Sequence, residues 1–260
     1  MPDSSCSDRR ATLLARSIYW SAFETALAGR LRGGEHLMLY GPRGSGKTTL
    51  VESIYANLRA QSVPCAISPD TRGLPDVVTA LARAYPQASV IGLDRRAMRG
   101  RLRNVADSLP GVLLLDHIRD VTTAMIGFFR RLRGGVAGIL IIVDTDAEFE
   151  RDRLVGWRRH ASRVQMPLMS LGELEKLLDR AWLAHDFHQA EGRIKRRLVR
   201  AARGRVGWLG ECVAKLAEEK YWRQGSLRVG ALCSDVEILV RLTRQGPRAR
   251  HRLRAGPHPI

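Results

Sequence analysis

The sequence predicts an α/β fold: a parallel sheet covered by helices on both faces, followed by a small all-helical domain. Short, continuously apolar runs alternate with helical periodicities up to about residue 168, the pattern of strands buried on both faces and joined by crossover helices. Beyond Ser170 that alternation stops and only helical periodicity continues. A glycine-rich segment also follows directly on the first apolar strand and opens the next helix.

The elements follow in order. Leu14, Ile18, Phe23 and Leu27 recur at helical spacing and place an amphipathic helix over 11–31. The run EHLMLY, ending at Tyr40, is the first strand; a helix is expected over 50–60 and a second strand over 63–68. A helix over 74–85 follows a turn, and a basic helix occupies 94–109. Pro110 and Gly111 then punctuate the entry to the strand VLLLD, 112–116. A helix over 119–132, an apolar strand over 136–143, a helix over 147–160 and a short strand over 163–167 complete the sheet. Helices near 170–187, 190–203, 207–223 and 232–245 make the second domain. The expected organisation is thus a flexible N-terminus (1–11), a nucleotide-binding α/β domain (12–168), a helical lid (169–245) and a basic disordered tail (246–260).

At 260 residues, with 45% hydrophobic and 27% charged side chains, the chain has the material for a packed core, which excludes global disorder and coiled-coil or collagen-like chains. Cys6, Cys65, Cys212 and Cys233 stand far apart, without the paired spacing of a zinc site or a disulfide framework. The first ten residues, MPDSSCSDRR, lack the apolar stretch of a signal peptide, and no apolar run approaches bilayer length. A cytoplasmic protein without a membrane role is expected.

Residues 41–48, GPRGSGKT, fit G-x-x-x-x-G-K-[ST] without a mismatch, between an apolar strand and a helix as that motif requires. The pattern defines a P-loop NTPase. Its glycines let backbone N–H groups curl around phosphates, and the following helix N-terminus adds partial positive charge. Gly41, Pro42, Arg43, Gly44, Ser45, Gly46, Lys47, Thr48 and the adjoining Thr49 are the candidate ATP-binding residues. Lys47 is placed to reach the β- and γ-phosphates, and the Thr48 hydroxyl to ligate Mg²⁺. Asp116, at the C-terminal end of its apolar strand, is the second acidic group that such a metal site needs.

With the phosphate loop, the Asp116 strand, a further apolar strand and a helical lid in that order, the chain resembles the AAA+ ATPases. It looks closest to the bacterial helper ATPases of DNA transposition and to the origin-recognition type. The resemblance implies ATP hydrolysis with Mg²⁺ and assembly as a homo-oligomer. It also implies a protein partner of transposase, integrase or replication type. The family places Glu after the aspartate; here His117 stands there, as a working base or as a placeholder with slow turnover. Thr145 occupies the position that contacts the γ-phosphate or the attacking water. An arginine finger acting on a neighbouring subunit is implied among Arg158, Arg159 and Arg163, with Arg163 chosen. The lid motif Gly-x-x-Arg is broken: residues 204–208 read GRVGW, so Gly207 stands where the arginine belongs and Arg205 is the nearest substitute.

The 43 Lys and Arg against 26 Asp and Glu give a net charge of +17. The excess clusters at 95–103, at 193–205 and in the last twenty residues, with no helix-turn-helix or zinc-finger spacing. Such clusters neutralise phosphates without reading sequence, so non-specific binding to nucleic acid, DNA first, is expected. Two functions follow: an ATPase that assembles on nucleic acid and regulates a DNA-transaction partner, or a nucleotide-gated switch on a protein partner with little hydrolysis and no DNA role.

Overall fold

The computed structural model describes residues 20–85, 93–108, 111–118, 121–131, 136–144, 160–184, 192–216, 218–223 and 226–242. Its contacts divide them into two compact units. One comprises the described residues up to Gly41 and Lys47–Met166, the other Pro42–Gly46 and the described residues from Pro167 on.

The first unit is built on five parallel strands, β1 (Leu37–Gly41), β2 (Cys65–Ser68), β3 (Gly111–Leu115), β4 (Val136–Asp144) and β5 (Ser162–Gln165), in the order β2-β3-β4-β1-β5. The helices are α1 (Ser21–Arg32), α2 (Lys47–Ala60), α3 (Leu74–Ala84), α4 (Arg95–Ser108) and α5 (Thr123–Arg131). All five residues of β3 are buried, as its unbroken apolar run requires of a central parallel strand. Leu113, Leu115, Ile139 and Ile141 pack with Val77 and Leu81 of α3 and Met125, Phe128 and Phe129 of α5. Gly138 has no substitute in this packing, because a Cβ there would run into the Leu31 carbonyl at the end of α1. The strand order puts β4 between β1 and β3, so the C-terminal ends of three strands deliver Gly41, Asp116 and Asp144 to one edge of the sheet.

Expected and observed elements agree within a few residues, with two differences of substance. Helix α5 starts at Thr123 rather than 119, because the Thr122 hydroxyl caps it by accepting the Met125 N–H at 3.2 Å. The helix expected over 147–160 and the N-terminal part of the one over 11–31 lie outside the described residues, as does the tail.

The second unit holds α6 (Leu171–Ala184), α7 (Gly192–Ala202), α8 (Val206–Lys215) and α9 (Val229–Leu242). Ser170 and Glu173 form a reciprocal capping box at the start of α6: the Ser170 N–H donates to the Glu173 carboxylate at 2.8 Å, and the Glu173 N–H to the Ser170 hydroxyl at 3.3 Å. Leu174, Leu178, Trp182, Leu198, Trp208, Cys212, Leu232 and Val236 are buried in this unit. It is not all-helical, which corrects the expectation. The helix expected over 207–223 ends at Lys215, and a 3-10 turn (Glu219–Tyr221) leads into an antiparallel pair, β6 (Trp222–Arg223) and β7 (Ser226–Leu227). Two-residue strands are too short to show an alternating pattern in the sequence.

Candidate nucleotide-binding site

Between the end of β1 at Gly41 and the start of α2 at Lys47, Gly44 and Gly46 take φ values of 73° and 93°. This left-handed conformation is open to glycine and strained for other residues, so the two glycines set the path of the loop. Pro42–Gly46 groups with the unit that holds α6–α9, and the Gly44 carbonyl is taken up by amides of α8. Ser45 is buried, and among the described residues its hydroxyl makes no hydrogen bond.

Lys47 opens α2 and is 6% exposed. Its Nζ donates to the Gly41 carbonyl at 2.8 Å and lies 2.8 Å from Asp144 Oδ1. The second contact follows from register, since Gly41 of β1 pairs directly with Asp144 of β4. Asp116 follows β3 and is 2% exposed. Its backbone is fixed on both sides, by its own N–H donating to the Ser68 carbonyl at 2.9 Å and by its carbonyl accepting from Thr71 at 3.1 Å. Its Oδ1 accepts the His117 N–H at 2.7 Å. Burial pushes the Asp116 carboxyl above the usual carboxylate range, against the opposing pull of His117 and of the hydrogen bond from the Thr48 side chain.

Among the described residues the buried Asp116 Oδ2 accepts no hydrogen bond, and His117 Nε2 lies 3.7 Å from it. An anionic oxygen left open beside the Thr48 hydroxyl is the donor set for a hard cation. Among the described residues no three His, Cys, Asp or Glu side chains could enclose a metal. The cation that fits is therefore one that rests on few protein oxygens and completes its shell with phosphate and water, as Mg²⁺ does.

His117 is exposed and adopts a φ of 48°. Arg163 is exposed on the edge strand β5, in register with Met38, three residues short of Gly41. Thr49 is half-buried in the first turn of α2. Thr145, Arg158 and Arg159 lie outside the described residues. Arg205 is engaged elsewhere: it pairs with Glu237 at 3.0 Å and lies over the Trp208 ring.

Two residues of the site escaped the sequence reading. Asp144 is visible only through strand register. Glu52 stands one helical turn after Thr48, and loss of hydration, together with the Asp116 charge, raises its carboxyl above the usual range. The i, i+4 spacing from Thr48 was the available signal.

A parallel sheet with a phosphate loop after its first strand, β1, and an aspartate at the end of β3 defines a P-loop nucleotide-binding protein. Residues 30–151 match the family model described as AAA domain, and the phosphate loop and parallel sheet are those of an AAA+ P-loop ATPase fold. The fold is shared with the Orc1 protein of Aeropyrum pernix, solved in complex with DNA, at 15% identity and a TM-score of 0.52 over 88% of this chain and 69% of that one. It is shared also with Cdc6p of Pyrobaculum aerophilum, at 17% identity and a TM-score of 0.52 over 81% of this chain and 66% of that one. The chain thus spans about two thirds of the length of each. No curated protein matches the sequence. Among the described residues no helix is long and apolar enough to cross a membrane.

Proposed function

We propose that the protein is an ATP-binding, Mg²⁺-dependent ATPase that assembles as a homo-oligomer on DNA and passes its nucleotide state to a DNA-transaction partner of transposase, integrase or replication type. The observation that carries the reading is the convergence of Lys47, Thr48, Asp116 and Asp144 at one edge of the sheet. Lys47 binds the β- and γ-phosphates; Thr48 and Asp116 hold the Mg²⁺, which supplies charge neutralisation on the phosphoryl oxygens. Thr145 addresses the γ-phosphate. Arg163, exposed on an edge strand, completes the site of a neighbouring copy. The DNA role draws support from the +17 charge and from the DNA complex in which the Aeropyrum pernix Orc1 protein was solved.

A second reading, a nucleotide-gated switch with little turnover, is favoured by one feature: His117 stands in a left-handed conformation where a catalytic carboxylate belongs. Steady-state ATP hydrolysis with and without duplex DNA decides. DNA-stimulated turnover supports the first reading, and tight ATP binding with negligible turnover on or off DNA supports the second. Failure to bind ATP overturns both.

A further inference from the structure

Helix α7 has the sequence GRIKRRLVRAA, without an acid. Its inner face is set by Leu198, Val199 and Ala202, all buried. At ~100° per residue, Arg193, Arg196, Arg197 and Arg200 fall within an arc of about 100° centred opposite that face. All four are exposed, as is Arg203 in the turn that follows. Among the described residues these arginines form no ion pair. The cation on the packed side of the helix behaves differently: half-buried Lys195 is tied to Asp179 at 2.6 Å and sits over the Trp182 ring.

Packing does not require this arrangement, since the outer face of a surface helix folds equally well with mixed charge. Four like charges at i, i+3, i+4 and i+7 repel one another and weaken the isolated helix. A partner that gathers four guanidinium groups on one line must offer a row of anions, and its chemistry follows from the spacing. From Arg193 to Arg200 the helix rises about 10 Å. One strand of B-DNA passes roughly three phosphates over that length, with the second strand's phosphates across the groove. Guanidinium groups bind phosphate oxygens bidentately and release condensed counterions.

We propose that the exposed face of α7 is a docking surface for the phosphate backbone of duplex DNA, held by Arg193, Arg196, Arg197 and Arg200 without reading base sequence. This inference deepens the DNA reading above and rests on it: it names the surface by which the lid meets the duplex.

The test uses the full chain and two fluorescein-labelled duplexes of unrelated sequence, titrated by anisotropy between about 50 and 200 mM KCl. The variant carries R193Q, R196Q, R197Q and R200Q together. The slope of log K against log salt is expected to fall by about 3–4, at ~0.9 per phosphate contact, equally on both duplexes. The matching R193K, R196K, R197K and R200K variant is expected to keep most of the slope. ATP affinity, measured with a fluorescent nucleotide, is expected to stay unchanged in both and shows that the chain is folded. Should the Gln variant misfold, the pair R196Q and R200Q is expected to lose about 2 from the slope. An unchanged slope in a folded Gln variant of a DNA-binding wild type overturns the surface and leaves the DNA reading standing. A wild type that ignores duplex DNA overturns both, and binding to phosphatidylserine vesicles instead would reassign the face to a membrane.

Discussion

The Gly44 carbonyl oxygen, at the tip of the phosphate loop, accepts the Gly207 N–H at 2.7 Å and the Trp208 N–H at 3.1 Å. Two of the amides left open at the start of α8 are satisfied by the loop itself, in the role an N-cap side chain usually fills. The approach is close enough to dictate residue type on both sides. A Cβ on Gly207 would stand 2.9 Å from that carbonyl, and one on Gly44 3.1 Å from the Trp208 nitrogen. This explains why glycine stands at 207, where the resemblance to the AAA+ ATPases implies an arginine. Gly207→Ala is expected to destabilise the protein by about 1–3 kcal/mol, since backbone rather than a flexible side chain must yield. ATP affinity should fall with it. Thermal melts and nucleotide titration check both; a variant as stable as wild type would show that the loop and α8 are not bound to each other in solution. Trp208 fluorescence should report ATP binding.

Lys47 carries a second prediction. Its charge is held by Asp144, so incoming phosphates compete with a carboxylate for the same ammonium. Lys47→Ala is expected to lose ATP binding, because the point charge that reaches the β- and γ-phosphates is removed. Asp144→Ala is expected to tighten ATP binding by about fivefold, the equivalent of an ion pair worth ~1 kcal/mol. A fluorescent-nucleotide titration separates competitor from support: weaker binding in Asp144→Ala would mean that the carboxylate holds Lys47 in its working position.

What was legible in the sequence follows from distance along the chain. The phosphate loop is eight consecutive residues, and Asp116 is marked by the apolar run before it, so both are read locally. Asp144 reaches Lys47 because β4 lies against β1 with Gly41 opposite Asp144, a relationship across about a hundred residues that no local pattern encodes. The late start of α5 was readable in principle from Thr122, a capping residue three before Met125. The pair β6 and β7 was not, being too short for alternation. Arg205 was a reasonable substitute for the missing lid arginine by position, but Glu237 and the Trp208 ring hold it.

Asp116 gives a pH-dependent prediction. Its folded-state pKa is raised, chiefly by burial. A carboxyl raised on folding contributes stability below its unfolded value of ~3.9, and that contribution is lost as pH rises through the folded value. At neutral pH the buried carboxylate therefore weighs against the fold. Asp116→Asn keeps an acceptor for the His117 N–H and removes the charge. It is expected to be more stable than wild type at pH 7 by about 1 kcal/mol, with the difference closing toward pH ~4. Mg²⁺-dependent ATP hydrolysis should be lost. Urea melts at both pH values check this, and a variant less stable at neutral pH would show that the ionised group stabilises the nucleotide-free protein.

His117 carries the last prediction, which concerns the rate of hydrolysis. Its φ of 48° is a conformation that non-glycine residues adopt at roughly 1–2 kcal/mol. The strain is held by the N–H bond to Asp116 Oδ1 and by the bonds that fix Asp116 between Ser68 and Thr71. The ring is directed by the same contacts, with Nε2 3.7 Å from Asp116 Oδ2 and the side chain 46% exposed. An exposed imidazole turned toward a metal-binding carboxylate is badly placed as base for a water attacking phosphate, since efficient general bases are held within hydrogen-bond reach of the proton they take. Wild-type turnover is therefore expected to be slow, and His117→Glu to raise it at least tenfold, a fraction of the ~10²–10⁴ that a positioned base supplies. His117→Gly should stabilise the chain by about 1 kcal/mol through relief of the left-handed backbone, without restoring the rate. Steady-state hydrolysis across pH completes the test. If His117 is the working base, His117→Ala is nearly inactive and His117→Glu shifts the pH profile instead of raising its maximum. A fast wild type whose rate is indifferent to His117→Ala would remove this residue from the chemistry and leave Glu52, one turn beyond Thr48, as the carboxylate to substitute next.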